Sequence, residues 1–311
     1  MCHRRGILEA TWLLMDVAHQ GEVRLASVSP TRPAVDHITR FASDSLQTFT
    51  DALLRYERET GQHLLGMTAV IAIAGAAVGE SIPIIRTRWN ISRAGIESMT
   101  GCPPVVINEV AAQAWATVGA LPMLEPIRGT GTPDLRAKGR YVFVAINDGV
   151  GTAIIDIDDA GHVTVIEAEG GHADFAPQTE AELTLARAMA PIGGAPSWEQ
   201  MLMIRRETAP AKAVNGLTDQ YLAEMRATLL GRFIATMMLM TGAWSGAMMT
   251  GSAIPHYDSS MRRAFNTGLN NRRAFLRLFN AARCWRVEQR EPVLSGAAAL
   301  MVQRHHGRTG G

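Results

Sequence analysis

A series of short buried-strand patterns followed by helices occurs twice along this chain, and that doubling constrains the fold more than any other feature. Residues 11–15 are apolar and close at Asp16, and 23–28 resume strand character after a polar gap, so the pair reads as a β-hairpin. Leu46, Phe49, Leu53 and Tyr56 recur at three- and four-residue steps, which predicts an amphipathic helix over 46–59. A buried strand over 67–74, a helix capped by Ser92 and running through Met99, and a buried strand over 105–107 complete the order ββαβαβ. A helix over 110–118 and a loop over 121–138, rich in Pro and Gly, lead to a second set of strands at 141–146, 152–157 and 163–166. Helices then dominate at 180–189, 198–204, 217–244 and 258–284, with a short strand at 247–250 and a terminal helix over 292–303. At 311 residues the chain exceeds the roughly 100–150 of one domain. The expectation is therefore two α/β lobes, 1–109 and 110–291, with the segment 292–311 packing back on the first.

Composition removes several function classes. Thirty basic against 29 acidic residues leave a net charge of +1, so no global field draws in nucleic acid or an anionic membrane. Nothing before the first strand has the pattern of a helix-turn-helix. Arg262, Arg263, Arg272, Arg273, Arg277, Arg283 and Arg286 make the last third locally basic, and an ion-paired or solvated helix face is favoured over a phosphate-binding surface. Cys2, Cys102 and Cys284 are too widely spaced for a zinc site or a disulfide framework. No apolar run nears the roughly 20 residues that span a bilayer, and the N-terminus lacks a cleavage signal, so a cytoplasmic protein is expected.

Two strings carry chemistry. In Glu169-Gly170-Gly171-His172-Ala173-Asp174-Phe175-Ala176-Pro177, paired glycines permit a tight turn that holds a carboxylate near an imidazole, a set suited to sugar hydroxyls. The same string equally fits a loop whose buried histidine is satisfied by backbone. In Val105-Val106-Ile107-Asn108-Glu109 an amide and a carboxylate follow a buried strand, where α/β folds present catalytic groups. A plain helix cap at Asn108, with Glu109 in the first turn, accounts for that string as well.

Taken together, these strings and the order of elements resemble the bacterial glucokinase family along nearly the whole chain. The resemblance implies an α/β actin-like, ribonuclease-H-like fold of two lobes around a cleft. It implies that Asn108, Glu169, His172 and Glu199 contact hexose hydroxyls and that Glu109, where the family carries aspartate, is the general base. It also implies ATP and Mg²⁺, no resident protein-bound metal, and a homodimer. The nucleotide-side positions are Asp16, Gly149, Gly151, Thr152 and Gly251, and here the chain departs from the family. Asp-Val-Gly-Gly-Thr-Asn becomes Asp16-Val17-Ala18-His19-Gln20-Gly21-Glu22, losing the glycine pair and adding an acid. Asn147-Asp148-Gly149-Val150-Gly151-Thr152 drops a glycine of the second phosphate loop and suffices as a hairpin turn. Ala-Gly-Gly-Ile becomes Gly251-Ser252-Ala253-Ile254, Met203-Ile204-Arg205-Arg206 replaces a small-residue stretch, and Arg86 stands where asparagine precedes Trp89.

The expected activity is thus ATP-dependent phosphorylation of glucose at the 6-hydroxyl, weakened by altered phosphate loops and a longer base. The alternative is a hexose-binding protein without turnover, serving regulation or sensing.

Overall fold

The computed structural model describes residues 11–17, 21–85, 87, 89–119, 122–207, 209–254 and 256–309, with backbone alone at 212, 213 and 306–309. In chain order its elements begin with β1 (Trp12–Asp16), β2 (Glu22–Val28), β3 (Thr39–Ala42), α1 (Phe49–Thr60), β4 (Thr68–Ile73), β5 (Ser81–Pro83) and β6 (Asn90–Ser92). Then follow α2 (Arg93–Thr100), β7 (Val105–Asn108), α3 (Glu109–Gly119), β8 (Met123–Arg128), β9 (Gly139–Ile146), β10 (Val150–Ile157) and β11 (Val163–Ala168). The helices α4 (Glu180–Met189), α5 (Trp198–Leu202), α6 (Ala211–Val214) and α7 (Asp219–Thr241) precede β12 (Gly246–Thr250) and α8 (Ser259–Leu269). The chain closes with α9 (Leu276–Ala281), β13 (Arg283–Glu288) and α10 (Pro292–Thr309). None of the helices, among the described residues, is long and apolar enough to cross a membrane.

These elements form two compact units, one of residues up to Pro122 together with those from Gln289 onward, the other Met123–Glu288. The sheet of the first unit runs β3-β2-β1-β4-β7, with β1 antiparallel to β2 and the β1, β4 and β7 pairs parallel. Alternation along β1 decides what covers each face: Leu13 and Met15 join Phe49, Leu53 and Tyr56 of α1, while Trp12 and Leu14 join Leu294, Ala297 and Ala298 of α10. Thr48 and Asp51 close a capping box that starts α1, and Ser92 caps α2 by accepting the Gly95 N–H at 3.1 Å. The division falls at 122/123, one helix later than the expected 109/110. The reason is close packing of α3 on α10, where a side chain at Gly296 would lie 1.6 Å from the Ala112 carbonyl oxygen.

The sheet of the second unit runs β11-β10-β9-β12-β13-β8. With the added edge strand β8 left out, the sheet of the second unit repeats the order of the first, 3-2-1-4-5, with two antiparallel pairings followed by two parallel ones. That identity is the structural form of the doubled sequence pattern. In the second unit α7 and α8 cross at Gly231 and Gly268, where any Cβ would meet the partner helix's backbone at 2.1 and 1.9 Å. Two expectations are corrected here. Residues 123–128, expected in a loop, form β8, an edge strand that tolerates Pro126 because its outer side needs no donor. Residues 283–288, the first of them expected at the end of a helix, form β13, whose Cys284, Trp285 and Val287 are buried within the sheet.

Candidate functional site

In the second unit β11 ends at Ala168 and the chain tightens into a 3-10 turn over Gly170–His172. Gly171 presses against the start of β10 so closely that a Cβ there would lie 2.0 Å from the Val150 carbonyl oxygen, so only glycine fits. The Gly170 N–H donates to Thr152 Oγ1 at 3.0 Å, and that hydroxyl donates to the Ala168 carbonyl at 2.8 Å. Beyond His172 the chain is stitched to 196–198: Phe175 N–H donates to the Pro196 carbonyl at 2.8 Å and Trp198 N–H to the Ala173 carbonyl at 3.0 Å. Glu199 follows at once, in the first turn of α5, with its Oε2 accepting the Val150 N–H at 2.8 Å.

Glu169, His172 and Glu199 are therefore gathered around the first residue of β10. His172 Nε2 lies 3.9 Å from Glu169 Oε2, with the side chains 58% and 44% exposed, which rules out the buried-histidine reading of this string. Burial pushes the Glu169 carboxyl above the usual glutamate value, the His172 imidazole opposes that rise, and the carboxylates of Glu167 and Glu199 add to it. A half-open cluster of two carboxylates and an imidazole is chemically suited to accept hydrogen bonds from vicinal hydroxyls.

The positions of this unit that the sequence reading expects on the nucleotide side also lie near one another. Residues 147–149 form a three-residue turn between β9 and β10, with Gly149 in the turn and Gly151 opposite Ala145 in the ladder. Asn147 Oδ1 accepts the Ser252 N–H at 3.0 Å, tying that turn to the one after β12. There Gly251 has φ 116° and no room for a Cβ, which would lie 2.2 Å from the Ile146 carbonyl oxygen. Thr152, expected on the nucleotide side, is fully buried, and its hydroxyl is engaged by the Ala168 carbonyl and the Gly170 N–H at the start of the Glu169–Pro177 loop.

In the first unit Asp16 and Asn108 end the parallel strands β1 and β7 on either side of β4, paired with Ala72 and Ile73. Asn108 Oδ1 accepts the N–H groups of Val110 at 2.7 Å and Ala111 at 3.3 Å, and its Nδ2 donates to the Gly75 carbonyl at 3.1 Å. The capping reading is thus realised, and it fixes the orientation of the amide. Glu109 begins α3, half-buried. Asp16 is fully buried and paired with Arg24, whose Nε is 3.0 Å from Oδ2 and whose terminal nitrogen makes a second, short contact. Arg24 also reaches Glu291 at 2.6 Å, and Glu291 reaches Arg40 at 2.8 Å. Trp89 is a core side chain whose indole N–H donates to the Gln47 carbonyl at 3.1 Å. The substitutions noted at Ala18, His19, Gln20 and Arg86, and Cys2, lie outside the described residues.

Arg24 was legible only through the hairpin register, which places it directly opposite Asp16. No motif announced the bonding of Thr152. Among the described residues no three His, Cys, Asp or Glu side chains converge as a metal cluster, and Asp16 is engaged by Arg24.

The sequence profile of the glucokinase family matches residues 18–203. A glucokinase of Xanthomonas euvesicatoria pv. vesicatoria is 26% identical over 315 aligned positions, covering 91% of this chain and 92% of the relative. Among solved structures, a glucokinase from an Antarctic psychrotroph superposes with a TM-score of 0.72 at 19% identity, covering 93% of this chain and 98% of the other. A ROK family glucokinase from Streptomyces griseus, in complex with glucose and AMPPNP, superposes with a TM-score of 0.54 at 16% identity, over 94% and 99% of the two chains. Repeated 3-2-1-4-5 sheets, the acid-imidazole cluster at the head of β10 and these matches agree, and the chain belongs to the glucokinase family.

Proposed function

We propose that the protein binds glucose and transfers the γ-phosphoryl group of ATP to its 6-hydroxyl, at a rate well below that of a family member with intact phosphate loops. The observation that carries this reading is the gathering of Glu169, His172 and Glu199 around Val150, with Glu199 held by the Val150 N–H, Gly170 by the Thr152 hydroxyl, and the chain after His172 tied to 196–198 by two backbone bonds. These groups, with the rigidly capped Asn108, accept and donate to ring hydroxyls. Glu109 takes the proton from the 6-hydroxyl as its oxygen forms the new bond to phosphorus and ADP departs with the electron pair of the broken P–O bond. Bound with the nucleotide, Mg²⁺ would supply neutralisation of the phosphate charge.

The weakened donor side has a physical basis. Phosphate loops work by presenting free backbone N–H groups, but the Val150 N–H is taken by a carboxylate and Asp16 is held by Arg24. The same two contacts favour, as a second reading, a hexose-binding protein without turnover. A coupled assay with glucose, Mg²⁺ and ATP, ADP or polyphosphate in turn separates them: slow but saturable 6-phosphate formation supports the enzyme, and none with any donor supports the second reading. Donor hydrolysis at equal, non-zero rates with and without sugar would contradict both.

A further inference from the structure

Arg232 of α7 and Glu182 of α4 form an ion pair at 2.9 Å whose side chains are only 4% and 8% exposed. The Arg232 Cζ lies 5.1 Å from the Phe175 ring centroid and 5.6 Å from that of Trp198, and those two rings meet edge to face at 4.9 Å. Its Nε is buried with no acceptor. Glu182 Oε2 also accepts the Gln178 N–H at 2.7 Å, so the pair grips the chain just after the Glu169–Pro177 string. Stability does not explain this arrangement. Removing two charges from water costs more than the pair commonly returns, apolar replacements of like volume are often neutral or stabilising, and the orphaned N–H adds to the cost.

What the guanidinium does provide is a flat, fixed plane against two aromatic faces. One ring belongs to the residue three after His172, the other to the residue immediately before Glu199. Between them run the backbone bonds from Phe175 to Pro196 and from Trp198 to Ala173. A shift of this plane therefore moves the histidine and the glutamate relative to one another. We infer that Arg232, paired with Glu182, is a positioning residue that sets the spacing of His172 and Glu199 and so presets the hexose-binding cluster. This rests on the functional reading above only for the identity of the ligand.

The test is the double variant Arg232→Met with Glu182→Gln, which removes both charges, keeps the volume and leaves an acceptor for Gln178. Thermal unfolding, glucose titration calorimetry and the His172 ring resonances in NMR are measured on the full chain. The expected result is a melting temperature near wild type, a displaced His172 resonance, and glucose binding about tenfold weaker or more, the loss of roughly one hydrogen bond to a charged group. Arg232→Lys keeps the charge without the plane and is expected to weaken glucose as well, which covers the case in which the double variant does not fold. Wild-type glucose affinity and an unmoved His172 resonance in the folded variants would overturn the inference. Should the wild-type protein itself not bind glucose, the functional reading falls, while the His172 resonance still decides the positioning role.

Discussion

The two units carry the same hairpin at the start of the same sheet, and they use it differently. In the first, β1 and β2 set Asp16 directly opposite Arg24, and the pair is sealed inside the unit and extended to Glu291 and Arg40. In the second, β9 and β10 turn through Asn147, Asp148 and Gly149, and the strand after the turn serves the neighbouring loop: Val150 holds Glu199 and Thr152 holds Gly170. One hairpin stores its charge as an internal ion pair; the other lends its backbone and hydroxyl to an exposed acid-imidazole cluster. A shared topology therefore does not dictate a shared task, and what separates the two is which side chain lies across the ladder from the strand end.

If the general base belongs to the first unit and the acid-imidazole part of hexose recognition to the second, Glu109→Gln should lower turnover by about 10²- to 10⁴-fold, the usual contribution of a general base. Glucose affinity by calorimetry should barely change, and a parallel loss of affinity would break the distinction. The ion pair of the first hairpin is the next largest effect. Arg24→Met takes the guanidinium away from a fully buried carboxylate and should cost about 3–5 kcal/mol in a denaturant titration. A stability near wild type would mean that Asp16 is held by something else.

Sharper still for the second hairpin is Glu199→Ala, expected to weaken glucose by about 1.5–3 kcal/mol, the range for hydrogen bonds to a charged group. Nucleotide affinity should hold or improve as the Val150 N–H is released. Thr152→Val, which is close to isosteric, leaves the Gly170 N–H and Ala168 carbonyl without their partner and should cost about 1–3 kcal/mol of stability. The smallest effect concerns pH. Because burial raises the Glu169 pKa, its contribution to folding is present below the ordinary glutamate value and declines as pH rises through the raised one. Hexose binding has the opposite slope, since the accepting carboxylate is lost on acidification at a pH above the ordinary glutamate range. Calorimetry across pH 4–7 on wild type and Glu169→Gln checks this, the variant being expected to lose the dependence.

Much of the scaffold was legible because short-range rules settled it. Short, nearly continuous apolar runs marked β1, β4, β9 and β10, and Ser92 announced α2 as its cap. β8 and β13 were hidden because Pro126 and the alternating charges of Arg283, Arg286 and Glu288 mask strands whose pairing is decided by the sheet. At the site, the Glu169-to-Pro177 string and Asn108-Glu109 were visible as residue types beside glycines or a strand end. The engagement of Thr152, Asp16 and Val150 was not, because each depends on a partner fixed by register or by a loop 16 or more residues away. Arg232 lay hidden for the same reason, as one of two arginines on a mostly apolar helix.

Titration calorimetry of one preparation of the full chain, first with glucose and then with AMPPNP and Mg²⁺, tests the account most directly. The account predicts saturable, one-to-one glucose binding that Glu199→Ala weakens, together with much feebler binding of the nucleotide. Tight nucleotide binding with no heat from glucose would contradict it.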